Sequence, residues 1–144
     1  MGEGRVTTRR SRMKLTDQQR FLVGVLLAAG FFLIEAGVAE IYLARDAQCQ
    51  AMIENLRIGF GSQDFCMPEW VVFMLSAISR GVVGLLWPKA PSILAWLSMG
   101  GFYALVGGGC GQMSPRWGIA IYLAGHISLV AILAGLGYLS QFIG

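Results

Sequence analysis

Four ionisable side chains, Glu35, Glu40, Arg80 and His126, stand inside stretches that are otherwise apolar. In hydrocarbon such groups cost roughly 3 kcal/mol or more unless paired or wetted, so they are functional candidates by default. A carboxylate, a guanidinium and an imidazole together allow two kinds of chemistry. One is a proton or ion relay, in which His126 and Glu35 titrate while Arg80 holds the carboxylate ionised. The other is a buried Glu35–Arg80 pair with His126 and Tyr103 hydrogen-bonded around it, which fixes helix register more than it stabilises the fold. Because a conducting path needs polar residues along its whole length, the structural pair is the favoured reading.

The depths of these residues follow from a rise of ~1.5 Å per residue along each apolar stretch. Measured from the inner face, Glu35 falls at ~21 Å, Arg80 at ~11 Å, Tyr103 at ~17 Å and His126 at ~16 Å. One polar residue from each stretch is thus expected near mid-membrane as the set Glu35, Arg80, Tyr103 and His126. Glu40 lies nearer the outer interface, within reach of water on its own.

The elements that carry these residues are read from length and composition. The 144 residues are 56% hydrophobic and 13% charged, with a mean hydropathy of +0.63. Soluble domains carry about 25% charged residues, which leaves a water-soluble globule a poor fit. Four stretches, 21–43, 70–87, 92–110 and 117–143, approach or exceed the ~20 apolar residues that cross a ~30 Å hydrocarbon layer. Pro68-Glu69 and Ser114-Pro115 carry helix-start chemistry. Pro88 and Pro91 bracket a short turn, which makes the second and third stretches antiparallel neighbours. Most of the four tryptophans fall near stretch ends, at headgroup level. The expected fold is an all-α integral membrane protein, a four-transmembrane-helix antiparallel bundle over 21–143, preceded by a basic tail over 1–20.

Basic residues flank the stretches unevenly. Arg5, Arg9, Arg10, Arg12, Lys14 and Arg20 precede the first, and Lys89 lies between the second and third, against Arg45, Arg57 and Arg116 opposite. This bias places both termini inside, N-in/C-in. The six tail cations are also suited to anchoring on anionic lipid or a partner, at ~1 kcal/mol each near the surface. The opposite side is acidic, with Asp46, Glu54, Asp64 and Glu69, and carries an outer loop at about 44–68. No Gly or Pro interrupts residues 38–58, so the first helix is expected to continue beyond the membrane and stop near Gly59 and Gly61.

All three cysteines map to the outer side on this topology. A Cys49–Cys66 disulfide would close the outer loop, and Cys110 reads as a small packing residue. The cysteine spacings match neither a redox dithiol nor a zinc site. Small residues recur every four positions as Gly100, Ala104 and Gly108, and again as Ala120, Ala124 and Ser128, the spacing that lets helix backbones approach closely in lipid. Gly24 and Ala28 repeat it in the first stretch. The glycine run at 107–111 lacks the Lys-Ser/Thr ending of a phosphate loop.

The residues offer no nucleophile beside the one histidine, no metal cluster and no cofactor motif, so no enzyme activity, cofactor or nucleic-acid partner is expected. The function expected is that of a non-catalytic accessory or scaffold subunit, or an assembly component, of a larger membrane complex. Its partners would be anionic lipids and other membrane subunits. The arginine-rich start suits a mitochondrial inner or bacterial plasma membrane. The alternative is a small oligomeric proton or ion conductor built on the Glu/Arg/His cluster.

Overall fold

A computed structural model of the chain describes residues 15–56 and 66–143. It is all-helical there: α1 (Asp17–Leu56), α2 (Glu69–Leu86), α3 (Ser92–Gly111) and α4 (Pro115–Ile143). Each of the four is long and apolar enough to cross a membrane. Gly59, Gly61 and the tail residues Arg5, Arg9, Arg10, Arg12 and Lys14 lie outside the described residues.

Each helix begins where local chemistry allows. Thr16 and Gln19 form a reciprocal capping box: the Gln19 N–H donates to Thr16 Oγ1 (3.3 Å) and the Thr16 N–H to Gln19 Oε1 (3.0 Å). From there α1 runs 40 residues, about 60 Å at ~1.5 Å per residue and twice the hydrocarbon thickness. The expected continuation past residue 43 is therefore present. Pro68 and Pro91 occupy the N-cap positions of α2 and α3, and Pro115 opens α4, with the Gly118 N–H donating to the Ser114 carbonyl (2.9 Å).

The order of contacts along α1 sets the architecture. From Asp46 down to Arg20, α1 meets Met67, Arg80, Gly100, Tyr103, Gly107 and Gly111 in ascending sequence order. From Gly118 up to Gly137, α4 meets Cys110, Tyr103, Ala77 and Phe73 in descending order. The stretch 69–80 and α3 thus follow one another down a single column, flanked by α1 and α4. Glu35 of α1 meets His126 of α4, and Phe31 meets Tyr122, so those two helices run in the same sense. The described helices thus depart from the expected alternating up-and-down order: the start of α1 and the end of α4 lie at opposite ends. Residues 69–80 do not lie antiparallel beside α3, while the end of α2 returns onto the start of α3 across the Pro88–Pro91 turn as expected, Gly81 meeting the Met99 side chain.

Gly81 is where the column breaks. Its φ of 51° and ψ of −138° interrupt α2, a conformation open to glycine because it has no Cβ. A Cβ there would also run into the Met99 side chain.

Small residues decide which helices lie closest. Gly24 and Ala28 on α1 face Gly107 and Gly111 on α3, and a Cβ on Gly24 would overlap the Gly107 carbonyl. Gly100 packs under the Phe32 ring and Gly108 under Phe21, while Ala104 is half-buried. The glycine run therefore admits a neighbouring backbone. On α4 the packing expectation is corrected within the chain: Ala120, Ala124 and Ser128 are all exposed, and Gly118 and Gly137 make the close approaches. Two apolar clusters fill the interior, Phe32–Ala36–Met99–Tyr103 and Ala77–Val130–Leu133.

The cysteines divide between the two ends. Cys49 and Cys66 are disulfide-bonded beside Asp46, whose buried carboxylate accepts from the Met67 N–H (2.9 Å) and Gln50 Nε2 (3.0 Å). Cys110 is free and packs on Gly118, near the start of α4 and the Arg20 end of α1. Its expected place on the disulfide side is corrected, because that placement assumed alternating helix directions.

Candidate functional site

The ionisable residues within the apolar helices form two pairs. His126 is 93% buried on the inward face of α4, and its Nε2 lies 2.7 Å from Glu35 Oε2 on α1. The imidazole sits among aromatic rings: Tyr103 at 4.9 Å between centroids, Phe31 at 5.8 Å, and Tyr122 stacked parallel at 6.3 Å. Three of the four residues expected to meet near mid-membrane, Glu35, Tyr103 and His126, are thus together.

Arg80 is not with them. Its Nε is 3.7 Å from Glu40 Oε1, and its Nη1 donates to the Pro88 carbonyl (3.1 Å). This corrects the expected Glu35–Arg80 pair; Glu40, partly exposed as expected, is the carboxylate that Arg80 meets. The reason is axial placement. The 69–80 stretch packs beside the outer half of α1, so Arg80 arrives more than one turn beyond Glu35 and finds Glu40. Sequence reasoning assumed one common membrane floor for every helix, which drew Arg80 to the wrong carboxylate. The five-residue gap between Glu35 and Glu40 was visible, but nothing in it signalled two separate pairs.

Around the pairs lie polar atoms that burial leaves exacting. Within the described residues, His126 Nδ1, Tyr122 Oη, Ser79 Oγ and Trp96 Nε1 have no hydrogen-bond partner, and Ser79 is fully buried. A buried unsatisfied donor or acceptor costs about 1–3 kcal/mol, so the interior is polar beyond what its packing requires. Ser79 and Trp96 were not singled out from the sequence, where neither stands apart from ordinary helix residues.

A lateral groove of about 480 Å³ gives access to the Glu35–His126 contact. It rises along α4 past Ile127 and Val130 to Phe73, Trp70 and Tyr138. Both glutamate side chains keep roughly a quarter of their surface exposed, at 28% for Glu35 and 27% for Glu40. Chemically the arrangement can pass a proton between imidazole and carboxylate, or tie α1 to α4. Among the described residues no group of three or more His, Cys, Asp or Glu side chains converges as a metal site. No family model, characterised protein or solved structure matches the chain.

Proposed function

We propose that the chain is a non-catalytic accessory or scaffold subunit of a larger membrane protein complex, in an energy-transducing membrane. The observation that carries this reading is the outward stripe Ala120–Ala124–Ser128 on α4, which the chain's own packing leaves free. Small residues at four-residue spacing suit close approach of another transmembrane helix, where lipid supplies little hydrophobic drive. The basic tail supports an amino end on the inner side. On this reading, with α1 and α4 running in one direction, the carboxyl end and the disulfide are outside, and α2 and α3 together form the return pass.

Blue-native electrophoresis of native membranes, with mass spectrometry of each band, tests the reading. The wild-type chain is expected to co-migrate with other subunits far above 15.6 kDa, and Ala124→Leu/Ser128→Leu is expected to release it. Recovery only near its own mass or a small multiple refutes it.

The second reading is an oligomeric proton or ion conductor, favoured by the Glu35–His126 contact at the foot of a lateral groove. Proteoliposomes would then show pH-driven flux that disappears in Glu35→Gln and His126→Ala. Absence of flux in the wild type rejects it.

A further inference from the structure

Toward their amino ends α1 and α4 separate, leaving a second lateral groove of about 930 Å³. Gly107, Cys110 and Gly111 of α3 line its floor, and its walls include Leu27, Ile119 and Leu123. Arg20 stands exposed at one end, with no carboxylate within ion-pair distance among the described residues. The other end is closed by the Phe31–Tyr122 ring contact.

Length and charge choose the occupant. Arg20 and Phe31 are eleven residues apart on α1, about 16 Å at ~1.5 Å per residue, close to half of the ~30 Å hydrocarbon core. An extended acyl chain matches that half-membrane length and the apolar walls. A neutral lipid would fill the groove but leave the guanidinium at its mouth unpaired. A phosphate-bearing anionic lipid satisfies both ends, and arginine is suited to bidentate phosphate contacts.

We propose that this groove holds one anionic phospholipid per chain, its phosphate on Arg20 and one acyl chain lying along the α1–α4 seam as far as the Phe31–Tyr122 contact. The lipid stands in for the side-chain packing that α1 and α4 lack below that level. The inference goes beyond membership of a complex and does not depend on it, since it concerns the isolated chain.

The test is native mass spectrometry of the purified full chain in mixed micelles of equimolar dioleoylphosphatidylglycerol and dioleoylphosphatidylcholine. The expected result is one phosphatidylglycerol retained per chain, at least fivefold over phosphatidylcholine. Arg20→Gln is expected to bring that ratio within twofold. Ile119→Trp fills the groove from an exposed position and is expected to lose both lipids, with an intact disulfide mass and an unchanged thermal transition reporting the fold. If that variant does not fold, Leu123→Phe obstructs the same wall more gently and should reduce retention at least threefold. Wild-type retention in a folded Ile119→Trp chain would place the lipid on the basic tail and overturn the proposal. Equal retention of the two lipids by the wild type, or a lipid-free dimer, overturns it equally.

Discussion

Glu35 Oε2 and His126 Nε2, 2.7 Å apart, join the two long helices that run in the same direction through the molecule. One groove lies along the α1–α4 seam on the amino-end side of this contact, and another runs from the contact between α2 and α4. With the Phe31 ring contacts to Tyr122 and His126, the pair acts as a direct cross-tie between helices that are otherwise held together through α2 and α3.

Cutting the tie from one side leaves the other partner stranded. Breaking a buried pair costs about 3–5 kcal/mol in full burial, and the partial exposure of Glu35 lowers the expectation for His126→Gln to about 2–3 kcal/mol. The double variant Glu35→Gln/His126→Gln removes both ionisable groups and should recover at least half of that loss. Chemical unfolding in detergent, arranged as a double-mutant cycle, reads the coupling directly. Additive single effects would mean that the contact carries no energy.

Gly81 is the second point of sensitivity. Gly81→Ala places a Cβ on a backbone that glycine alone adopts easily and drives it into Met99. The expected loss is about 1–3 kcal/mol, measured as a lower thermal midpoint. Adding Met99→Ala should not restore it fully, because the backbone term survives removal of the clash. Full rescue would show that contact with Met99, and not the left-handed conformation, sets the cost.

Much of the fold was legible from the sequence and some was not, for physical reasons. Hydropathy and prolines located four helices, and the lack of Gly or Pro through residues 38–58 anticipated the long α1. The Cys49–Cys66 bridge and the meeting of Glu35, Tyr103 and His126 were also readable. Hydropathy does not encode axial stagger, so Arg80 was assigned to the wrong glutamate and Cys110 to the wrong end. The break at Gly81 was equally hidden, since a single glycine in an apolar helix is common. Small-residue spacing identified stripes correctly on α3 but could not say that the one on α4 faces outward.

The glycines separate into those that touch a neighbour and those that do not. Gly107→Leu forces side-chain volume against Ala28 and the Gly24 carbonyl, and overpacking of this kind costs about 1–3 kcal/mol or more. Gly30 and Gly125 have nothing within 4 Å of an added Cβ. Gly30→Ala and Gly125→Ala should therefore be neutral, or stabilising by up to about 0.5–1 kcal/mol through helix propensity. Thermal unfolding of the three variants side by side checks the α1–α3 interface. A tolerated Gly107→Leu would contradict that interface.

The cysteines test the direction of every helix at once. Cys49 and Cys66 are joined at one end of the molecule, across a sequence separation of 17, while Cys110 is free at the other. A loop of that length makes the bridge worth about 3 kcal/mol, so Cys49→Ser should lower stability by about that amount. In sealed vesicles of known orientation, a membrane-impermeant maleimide should modify Cys110 only from the side that holds the amino terminus. After reduction by an impermeant phosphine, Cys49 and Cys66 should become reactive only from the opposite side. Alternating up-and-down helices would instead put all three on one face. Labelling of all three from a single side would therefore restore the alternating bundle and overturn the shared direction of α1 and α4.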